Sequence, residues 1–360
     1  MIRLLVVDDS ALVRKLLGQV FSREPDFELH FARSGLEALA ALGVFEPDVI
    51  TLDVTMPEMD GLACLDRIMI ERPCPVVMVS SLTAAGAEAT LEALRLGAVD
   101  FVPKPSGPVS LQMEVWAPEL IETVRGAARA KLRTSLRLRD RVRHQVGALR
   151  PEPLRTARPP AAPARVPVRA SGMGLVLVGT STGGPPALEA LLTVLPANFP
   201  WPILIAQHMP RSFTGPLAQR LDRLCALTVV EASDAVLLEP GTAYIGRGDH
   251  DLVVSRRAGG LVAMAAPPLA YPWHPSTDRL VRSALEHLPA SQLIGVLMTG
   301  MGDDGAAAMT DLHARGGVAI AEAEETAVVW GMPGELVKAG GADWIEPLPG
   351  IAARLQQLTP

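Results

Sequence analysis

The sequence contains few cysteines, no long apolar run and no excess of positive charge. Its 3 cysteines lie far apart without metal-ligand spacing, which argues against a disulfide scaffold or thiolate metal site and favours a reducing compartment. No apolar run approaches the ~20 residues that span a bilayer, and charges interrupt the N-terminus where a signal peptide has its apolar core. The net charge of −6 argues against nucleic acid as the main partner. We therefore expect a soluble cytoplasmic protein without membrane insertion.

One stretch, GLVLVGTSTGGP at 174–185, joins a β-branched apolar run to a glycine-rich turn and an apolar-periodic segment. This order predicts a strand, a tight turn and a helix, with Ser181 at the bend in the pattern G-x-S-x-G. A nucleophilic serine there would stand beside the free N–H groups of a helix N-terminus. A phosphate cradle and a plain helix cap are the alternatives. Ser181 breaks the dinucleotide pattern G-x-G-x-x-G, and no Walker A lysine follows.

The first hundred residues alternate between short apolar runs and helix-periodic segments. This alternation predicts a parallel, doubly wound sheet, whose ligands bind beyond the carboxyl ends of its strands. The predicted strands are 4–7, 28–31, 48–52, 75–79 and 99–102, and two predicted helices are 11–21, capped by Ser10, and 36–42.

Five polar residues follow these strands directly: Asp8, Asp9, Asp53, Ser80 and Lys104. Three carboxylates at one sheet edge repel each other unless a hard divalent cation such as Mg²⁺ lies among them. The lysine can pair with a phosphate, and a carboxylate beside a metal is a known nucleophile in phosphoryl transfer. A single aspartate at a strand end is more often a turn or cap residue, but the five positions together indicate a phosphoryl-transfer site.

Residues 1 to about 106 resemble the receiver domain of two-component response regulators, through the strings VVDDS, TLD, MPEMDG, VSS and FVPKP. The resemblance implies that Asp53 accepts a phosphoryl group from a histidine kinase of the CheA type. It implies that Asp8 and Asp9 hold Mg²⁺ together with Asp53. It also implies that Ser80 is the switch hydroxyl and that Lys104 pairs with the phosphate.

The residues between the two halves have a different composition. At 360 residues the chain is long enough for two domains. Residues 118–149 predict one long helix with a basic stretch at 129–143, and residues 150–170 hold six prolines among alanine and arginine, which is typical of an extended linker. We therefore expect a receiver domain at 1–125, a helix and flexible linker at 126–172, and a second domain at 173–360.

From residue 174 the alternation of strands and helices resumes, and we expect a second doubly wound sheet with a hairpin insertion at 240–266. The predicted strands are 175–178, 202–206, 227–230, 243–245, 251–255, 261–265, 293–298, 317–321 and 343–345. The predicted helices are 186–195, 213–225, 277–288, 305–315 and 350–358.

The residue types of a hydrolytic site follow buried strands of this second half. Ser181 follows the first strand, His208 closes the run PILIAQHMP, and Asp303-Asp304 follows the run LIGVLM. A serine nucleophile needs a base within reach, and the base needs an orienting acid. Each residue alone also fits a structural role, as a core histidine or a helix cap, and His274 is a rival base that ends no strand. The order Ser, His, Asp differs from that of the α/β-hydrolases, which predicts a different doubly wound fold.

The whole chain is similar to the CheB family, the chemotaxis response regulator protein-glutamate methylesterases. The strings that carry the similarity are GTSTGGPPAL, ILIAQHMPRSFT, LAQRL, PGTAYIGRGDHDL, HPSTDRL, GVLMTGMGDDGAAAM and VVWGMPGEL. The resemblance implies that Ser181 is the nucleophile, His208 the base and Asp304 the orienting acid. It also implies that Thr182 and the backbone N–H of Met301 lie near the oxyanion and the substrate.

This resemblance implies both a fold and a function. The fold is α/β, with a flavodoxin-like receiver and a Rossmann-like methylesterase domain with a β-hairpin insertion, joined by the Pro/Arg-rich linker. The function is phosphorylation-regulated removal of methyl groups from glutamate methyl esters of chemoreceptors, and deamidation of specific glutamines, in bacterial chemotaxis adaptation. Mg²⁺ serves the receiver, and the esterase needs no cofactor. A response regulator with a non-catalytic, partner-binding output domain is the alternative. A DNA-binding regulator is disfavoured, because no basic recognition helix is visible.

Three positions depart from the family pattern. Asp303 stands where members often have asparagine, which places a second acid beside Asp304. Pro185-Pro186 follows Gly184 at the expected helix start, and the linker is longer and richer in proline and arginine than is usual.

Overall fold

The computed structural model describes residues 1–81, 83–104, 109–132 and 173–359. The chain divides into two compact units, and each is described by itself. The proline-rich stretch at 150–170 lies outside the described residues, as does the predicted helix beyond residue 132. Within the described ranges, no helix combines the length and apolar character that a membrane crossing requires.

The first half of the chain forms a parallel sheet of five strands. The strands are β1 (Ile2–Val7), β2 (Phe27–Ala32), β3 (Val49–Asp53), β4 (Val76–Ser80) and β5 (Asp100–Pro103). The helices between and after them are α1 (Ala11–Phe21), α2 (Gly35–Phe45), α3 (Gly61–Glu71), α4 (Ala84–Leu96) and α5 (Val109–Ala127). The strand order is β2-β1-β3-β4-β5, with parallel pairing throughout, which confirms the doubly wound sheet expected from the sequence.

The inner strands of this sheet are buried along their whole length. All residues of β3 and β4 are buried, as expected of strands covered on both faces, which read as continuous apolar runs. Side-chain caps start the helices that follow β1 and β3. Ser10 accepts a hydrogen bond from Val13 N at 3.5 Å, and Asp60 accepts one from Ala63 N at 2.7 Å.

Helix α5 corrects the prediction of one helix from Pro118 to residue 149. The helix begins at Val109, contains Pro118 in its interior and ends at Ala127, and residues 128–132 are not helical. Proline favours the first helical turn, so the pattern points to a start at Pro118. Packing overrides this preference, because Leu120 and Val124 beyond the proline are fully buried.

The second half of the chain forms a parallel sheet of seven strands and a small antiparallel sheet. The strands are β6 (Leu175–Thr180), β7 (Ile203–Gln207), β8 (Thr228–Ala232), β9 (Val236–Leu237), β10 (Thr242–Gly246), β11 (Asp251–Arg257), β12 (Gly260–Ala266), β13 (Leu293–Leu297), β14 (Val318–Glu322) and β15 (Trp344–Glu346). The helices are α6 (Gly184–Leu192), α7 (Arg211–Leu224), α8 (Thr277–Leu285), α9 (Ala306–Ala314), α10 (Met332–Lys338) and α11 (Leu348–Leu358), with a 3-10 turn at Ala290–Gln292.

The insertion in this sheet starts later than the sequence suggests. The predicted hairpin at 240–266 includes β10, but β10 lies in the main sheet between β7 and β8. Only β11 and β12 form the hairpin, and β9 pairs with β12 at its edge. The sequence does not predict strand β9 and helix α10, because they are only 2 and 7 residues long. Segments this short show no clear periodicity of apolar residues.

The strand order of the main sheet determines where the hydrolytic candidates lie. The order is β15-β14-β13-β6-β7-β10-β8, so β13, β6 and β7 are adjacent and parallel. Their carboxyl ends therefore meet at one edge, where ligands of such sheets bind. Ser181 follows β6, His208 follows β7, and Asp304 lies in the loop after β13.

Candidate functional site

Ser181 and His208 are neighbours across two paired strands. Thr180 of β6 lies opposite Gln207 of β7, and His208 N donates a hydrogen bond to Thr180 O at 3.0 Å. Ser181 follows Thr180 and His208 follows Gln207, so these two residues are neighbours at the ends of the paired strands. Ser181 N in turn donates to Thr299 O at 2.9 Å, which ties the serine turn to the end of β13.

Asp304 reaches the same point from the loop after β13. Its Oδ2 lies 2.8 Å from His208 Nε2, and both side chains are buried, with 4% and 7% exposed. Asp303 is exposed to solvent. The structure thus brings Asp304, and not Asp303, to the imidazole, and the ambiguity that the adjacent acids create in the sequence is resolved geometrically.

The N-terminus of α8 holds the Asp304 carboxylate in place. Oδ1 accepts from Ser276 Oγ at 3.0 Å and Asp278 N at 3.1 Å, and Oδ2 accepts from Thr277 N at 2.6 Å. Burial alone would raise the pKa of Asp304, but the hydrogen bonds from His208 and the helix outweigh it, so that this pKa lies below its ordinary value. The carboxylate is ionised and can only accept hydrogen bonds.

This environment decides which nitrogen of His208 is available as a base. Because Asp304 is acceptor-only, Nε2 carries the proton in the neutral ring, and Nδ1 carries the lone pair. Nδ1 is buried and has no hydrogen-bond partner among the described residues. Ser181 is half-buried, and its hydroxyl forms no hydrogen bond to His208 in this state. Catalytic hydrogen bonds are often long before substrate binds.

Met301 and Thr182 lie beside Ser181, and Met301 has a backbone N–H that can donate a hydrogen bond. Met301 N has no acceptor within the described ranges. A Cβ on Gly300 would lie 2.7 Å from Ser181 Cβ, so the chain entering Met301 runs directly against the serine. Thr182 is 2% exposed, and its carbonyl accepts from Thr299 Oγ1 at 2.9 Å. These contacts place the two residues expected near the oxyanion beside Ser181.

Two consecutive prolines do not prevent the helix after Ser181. Helix α6 starts at Gly184, with Gly183 as N-cap at φ 75° and the prolines in its first turn. The nitrogens of the first turn have no intrahelical acceptor, so a proline there loses no hydrogen bond. A Cβ at Gly183 would also meet Val328 Cβ at 2.7 Å, which leaves this position to glycine.

His274, the rival base, forms a hydrogen bond with Asp251 instead of with Ser181. Its Nδ1 lies 2.8 Å from Asp251 Oδ1, and Arg279 donates to the other oxygen of the same carboxylate at 2.6 Å. Burial would raise the pKa of Asp251, but the hydrogen bonds from His274, Ser276 N and Arg279 hold it below its ordinary value. The Asp251 cluster fixes the loop that leads into α8.

Sequence reasoning missed Trp273, which contacts the candidate base. Its indole stacks on the imidazole of His208, with ring centroids 5.9 Å apart and an interplanar angle of 7°. A Cβ on Gly302 would lie 2.8 Å from the same indole. A tryptophan in a loop belongs to no helical or strand periodicity that would predict its role. Its position next to His274 is the one feature of the sequence that points to it.

The first unit brings together the acidic residues that the sequence predicts. Ligand oxygens of Asp8, Asp9 and Asp53 lie within 4.8 Å of one another. Lys104 Nζ lies 2.9 Å from Asp8 Oδ2 and 2.8 Å from Asp53 Oδ2. Ser80 is fully buried at the end of β4, and its carbonyl accepts from Lys104 N at 2.6 Å.

Charge and burial compete in this cluster. Burial, together with the neighbouring Asp8, raises the pKa of Asp53, and the ion pair with Lys104 only partly offsets this rise. Burial would lower the pKa of Lys104, but its two carboxylate partners outweigh it and raise that pKa. Three hard oxygen donors at this spacing, with Asp9 exposed, fit Mg²⁺, which accepts carboxylates and keeps several waters.

The fold and these two sites define a two-domain α/β protein of the response-regulator class. Its first unit carries an acidic cluster at the edge of a parallel sheet, and its second carries a serine, histidine and aspartate at adjacent strand ends.

Comparison with known proteins gives the family. Residues 4–115 match the response regulator receiver domain, and residues 176–355 match the CheB methylesterase domain. A protein-glutamate methylesterase/protein-glutamine glutaminase of Rhodopseudomonas palustris is 59% identical over 98% of this chain and 97% of its own length. One from Rhodospirillum rubrum is 52% identical over 99% of this chain and 95% of its own length.

The CheB methylesterase catalytic domain of Thermotoga maritima, a solved structure, aligns with a TM-score of 0.50 and 38% identity, covering 52% of this chain and 100% of that domain. The chain belongs to the CheB methylesterase family.

Proposed function

We propose that this chain is a phosphorylation-regulated serine esterase. It removes methyl groups from glutamate methyl esters of chemoreceptors and deamidates specific glutamines in bacterial chemotaxis adaptation. The observation that carries the proposal is the His208–Asp304 hydrogen bond at 2.8 Å, formed directly beside Ser181 on adjacent strands. The names of the relatives support the substrate class.

Ser181, His208 and Asp304 act as nucleophile, base and orienting acid. Nδ1 of His208 takes the proton of Ser181 Oγ as this oxygen attacks the ester carbonyl carbon. His208 then returns the proton to the methoxy oxygen, and methanol leaves. Water attacks the acyl-enzyme with the same base, releases the glutamate carboxylate and regenerates Ser181. With glutamine the leaving group is ammonia.

Asp304 and nearby donors lower the barrier by electrostatics. The ionised carboxylate fixes the tautomer of His208 and stabilises the imidazolium that forms. The backbone N–H of Met301 stabilises the oxyanion, and Thr182 lies beside the oxyanion and the substrate. Removing one such donor typically costs about 10²- to 10³-fold in rate.

The receiver regulates this chemistry through Asp53. A CheA-like histidine kinase is the phosphodonor, and Asp53 is the acceptor. Asp8, Asp9 and Asp53 would hold Mg²⁺, which when bound would neutralise charge on the phosphoryl oxygens. Lys104 pairs with the phosphate and Ser80 is the switch hydroxyl, so phosphorylation changes the local charge and hydrogen bonding of the receiver.

The experiment that tests the proposal measures methanol released from a methyl-esterified receptor fragment and ammonia released from its glutamine form. We expect both products with the full chain. A non-catalytic output domain, the alternative, would release neither. The complete Ser–His–Asp set, with its acid buried and hydrogen-bonded, argues against that alternative.

Replacement of Asp53 by asparagine is expected to abolish phosphorylation. With Mg²⁺ and a small acyl phosphate, the wild-type protein should gain one phosphoryl group, and its rate of methanol release should rise. Asp53→Asn, or the wild type with excess chelator, should gain none. Mass spectrometry of the intact protein measures the incorporation. Glu28→Gln removes an exposed carboxylate of β2 and should behave as wild type. Undiminished incorporation in Asp53→Asn would contradict the assignment.

A further inference from the structure

Gln207 is the last residue of β7, immediately before His208, and lies opposite Thr180, the residue before Ser181. Its side chain is buried, with 1% of the residue exposed. A residue so enclosed does not contact a receptor segment that binds at the surface. Its role must therefore concern the residues around it.

The amide of Gln207 bonds the backbone of both candidate catalytic residues. Its Nε2 donates to Ser181 O at 3.1 Å and to His208 O at 2.9 Å. Both acceptors are carbonyl oxygens, so the amide cannot be turned around without facing oxygen to oxygen. The two N–H bonds of a planar amide have a fixed angle between them, and this angle fixes the spacing of the two carbonyls.

The other end of the amide is unsatisfied. Gln207 Oε1 is buried and has no hydrogen-bond donor within the described part of the chain. It lies against Gly184, where any Cβ would collide with it. A buried acceptor without a donor costs stability, and this cost offsets much of the gain from the two hydrogen bonds that Nε2 donates. The amide is therefore poorly explained by stability alone.

We propose that Gln207 is a positioning residue, which ties the Ser181 turn to the His208 turn so that Oγ and Nδ1 approach in the reactive geometry. The proposal rests on the esterase function proposed above and deepens it. Small displacements matter here, because a misplacement of about 1 Å can cost about 10²-fold in rate. The interaction acts through the backbone, so substrate affinity should be unaffected.

Gln207→Met tests this role, because methionine has a similar length but no N–H donor. We expect kcat for methanol release to fall by about 10- to 10²-fold, with KM within about twofold. The thermal unfolding midpoint should fall only modestly and the protein should stay folded at the assay temperature, because removal of the unsatisfied oxygen partly offsets the loss of the two donated hydrogen bonds. Exposed Gln219→Met on α7 is the control and should match wild type in all three quantities.

A second variant keeps the proposal testable if methionine disturbs folding. Gln207→Glu has the same shape, and only its protonated carboxyl can donate to a carbonyl. Its kcat relative to wild type, measured where both proteins are fully folded, should therefore rise as pH falls, whereas a defect that does not involve this hydrogen bond would give a constant ratio. Wild-type kcat in Gln207→Met, a kcat loss that the unfolded fraction at the assay temperature fully accounts for, or a constant ratio in Gln207→Glu would each overturn the proposal. Failure of the esterase function itself would be recognised separately, as absence of methanol release by the wild type.

Discussion

Ser181→Ala is expected to lower methyl ester hydrolysis by about 10⁶-fold, the order found when the nucleophile of a serine hydrolase triad is removed. The reason is that the adjacent hydroxyl cannot take its place. Thr182, the adjacent residue, is buried at 2% exposure, whereas Ser181 is half-buried at the strand end beside His208. Methanol release from a methyl-esterified receptor fragment measures the loss.

Folding must be intact for this result to bear on the nucleophile. The Ser181 hydroxyl forms no hydrogen bond to the described residues, so its removal should leave the unfolding midpoint unchanged. Ser291→Ala, at an exposed serine of the 3-10 turn, is the matched control and should keep wild-type activity. Hydrolysis by Ser181→Ala at more than about 1% of the wild-type rate would remove Ser181 from the mechanism, since triad members contribute orders of magnitude more.

Asp304→Asn is expected to reduce kcat by about 10⁴-fold, whereas Asp303→Asn should change it by less than about twofold. Asparagine can present an N–H to His208 Nε2, which favours the tautomer whose proton sits on Nδ1. That nitrogen can then no longer accept the serine proton. The neighbouring Asp303 is exposed and does not reach the ring. The kcat values of the two variants, measured side by side, provide the test.

The Asp304 substitution should also change stability in a defined way. The carboxylate accepts from Ser276 Oγ, Thr277 N and Asp278 N, and its charge lies at the N-terminus of α8, where a negative charge is favourable. Asp304→Asn should therefore lower the unfolding midpoint modestly, while the protein stays folded at the assay temperature. Equal loss of activity in both aspartate variants would contradict the assignment of Asp304.

Much of the fold could be predicted because apolar runs and strand ends are local features. The residues after β1, β3 and β5 form the acidic and lysine cluster, since parallel strands deliver their carboxyl ends to one edge. The same rule predicts the meeting of Ser181 with His208. The sequence could not by itself choose between Asp303 and Asp304, because the choice depends on where α8 presents its N-terminal N–H groups.

Features that depend on packing across the fold could not be predicted. Pro118 suggests a helix start, but α5 continues through this proline because Leu120 and Val124 beyond it are buried in the core. Trp273 and Gln207 contact the candidate catalytic residues only because loops distant in sequence converge. The choice of Nδ1 over Nε2 follows from a single contact at 2.8 Å, which no pattern of residues encodes.

The most direct test of the central claim is the site of a covalent adduct formed by a fluorophosphonate, which reacts with serines activated by a neighbouring base. Mass spectrometry of the digested full-length chain should find one adduct per molecule, on the peptide that contains Ser181. The adduct should be absent after His208→Gln, because the base is then missing. An adduct on another residue, or one that forms equally well without His208, would contradict the account.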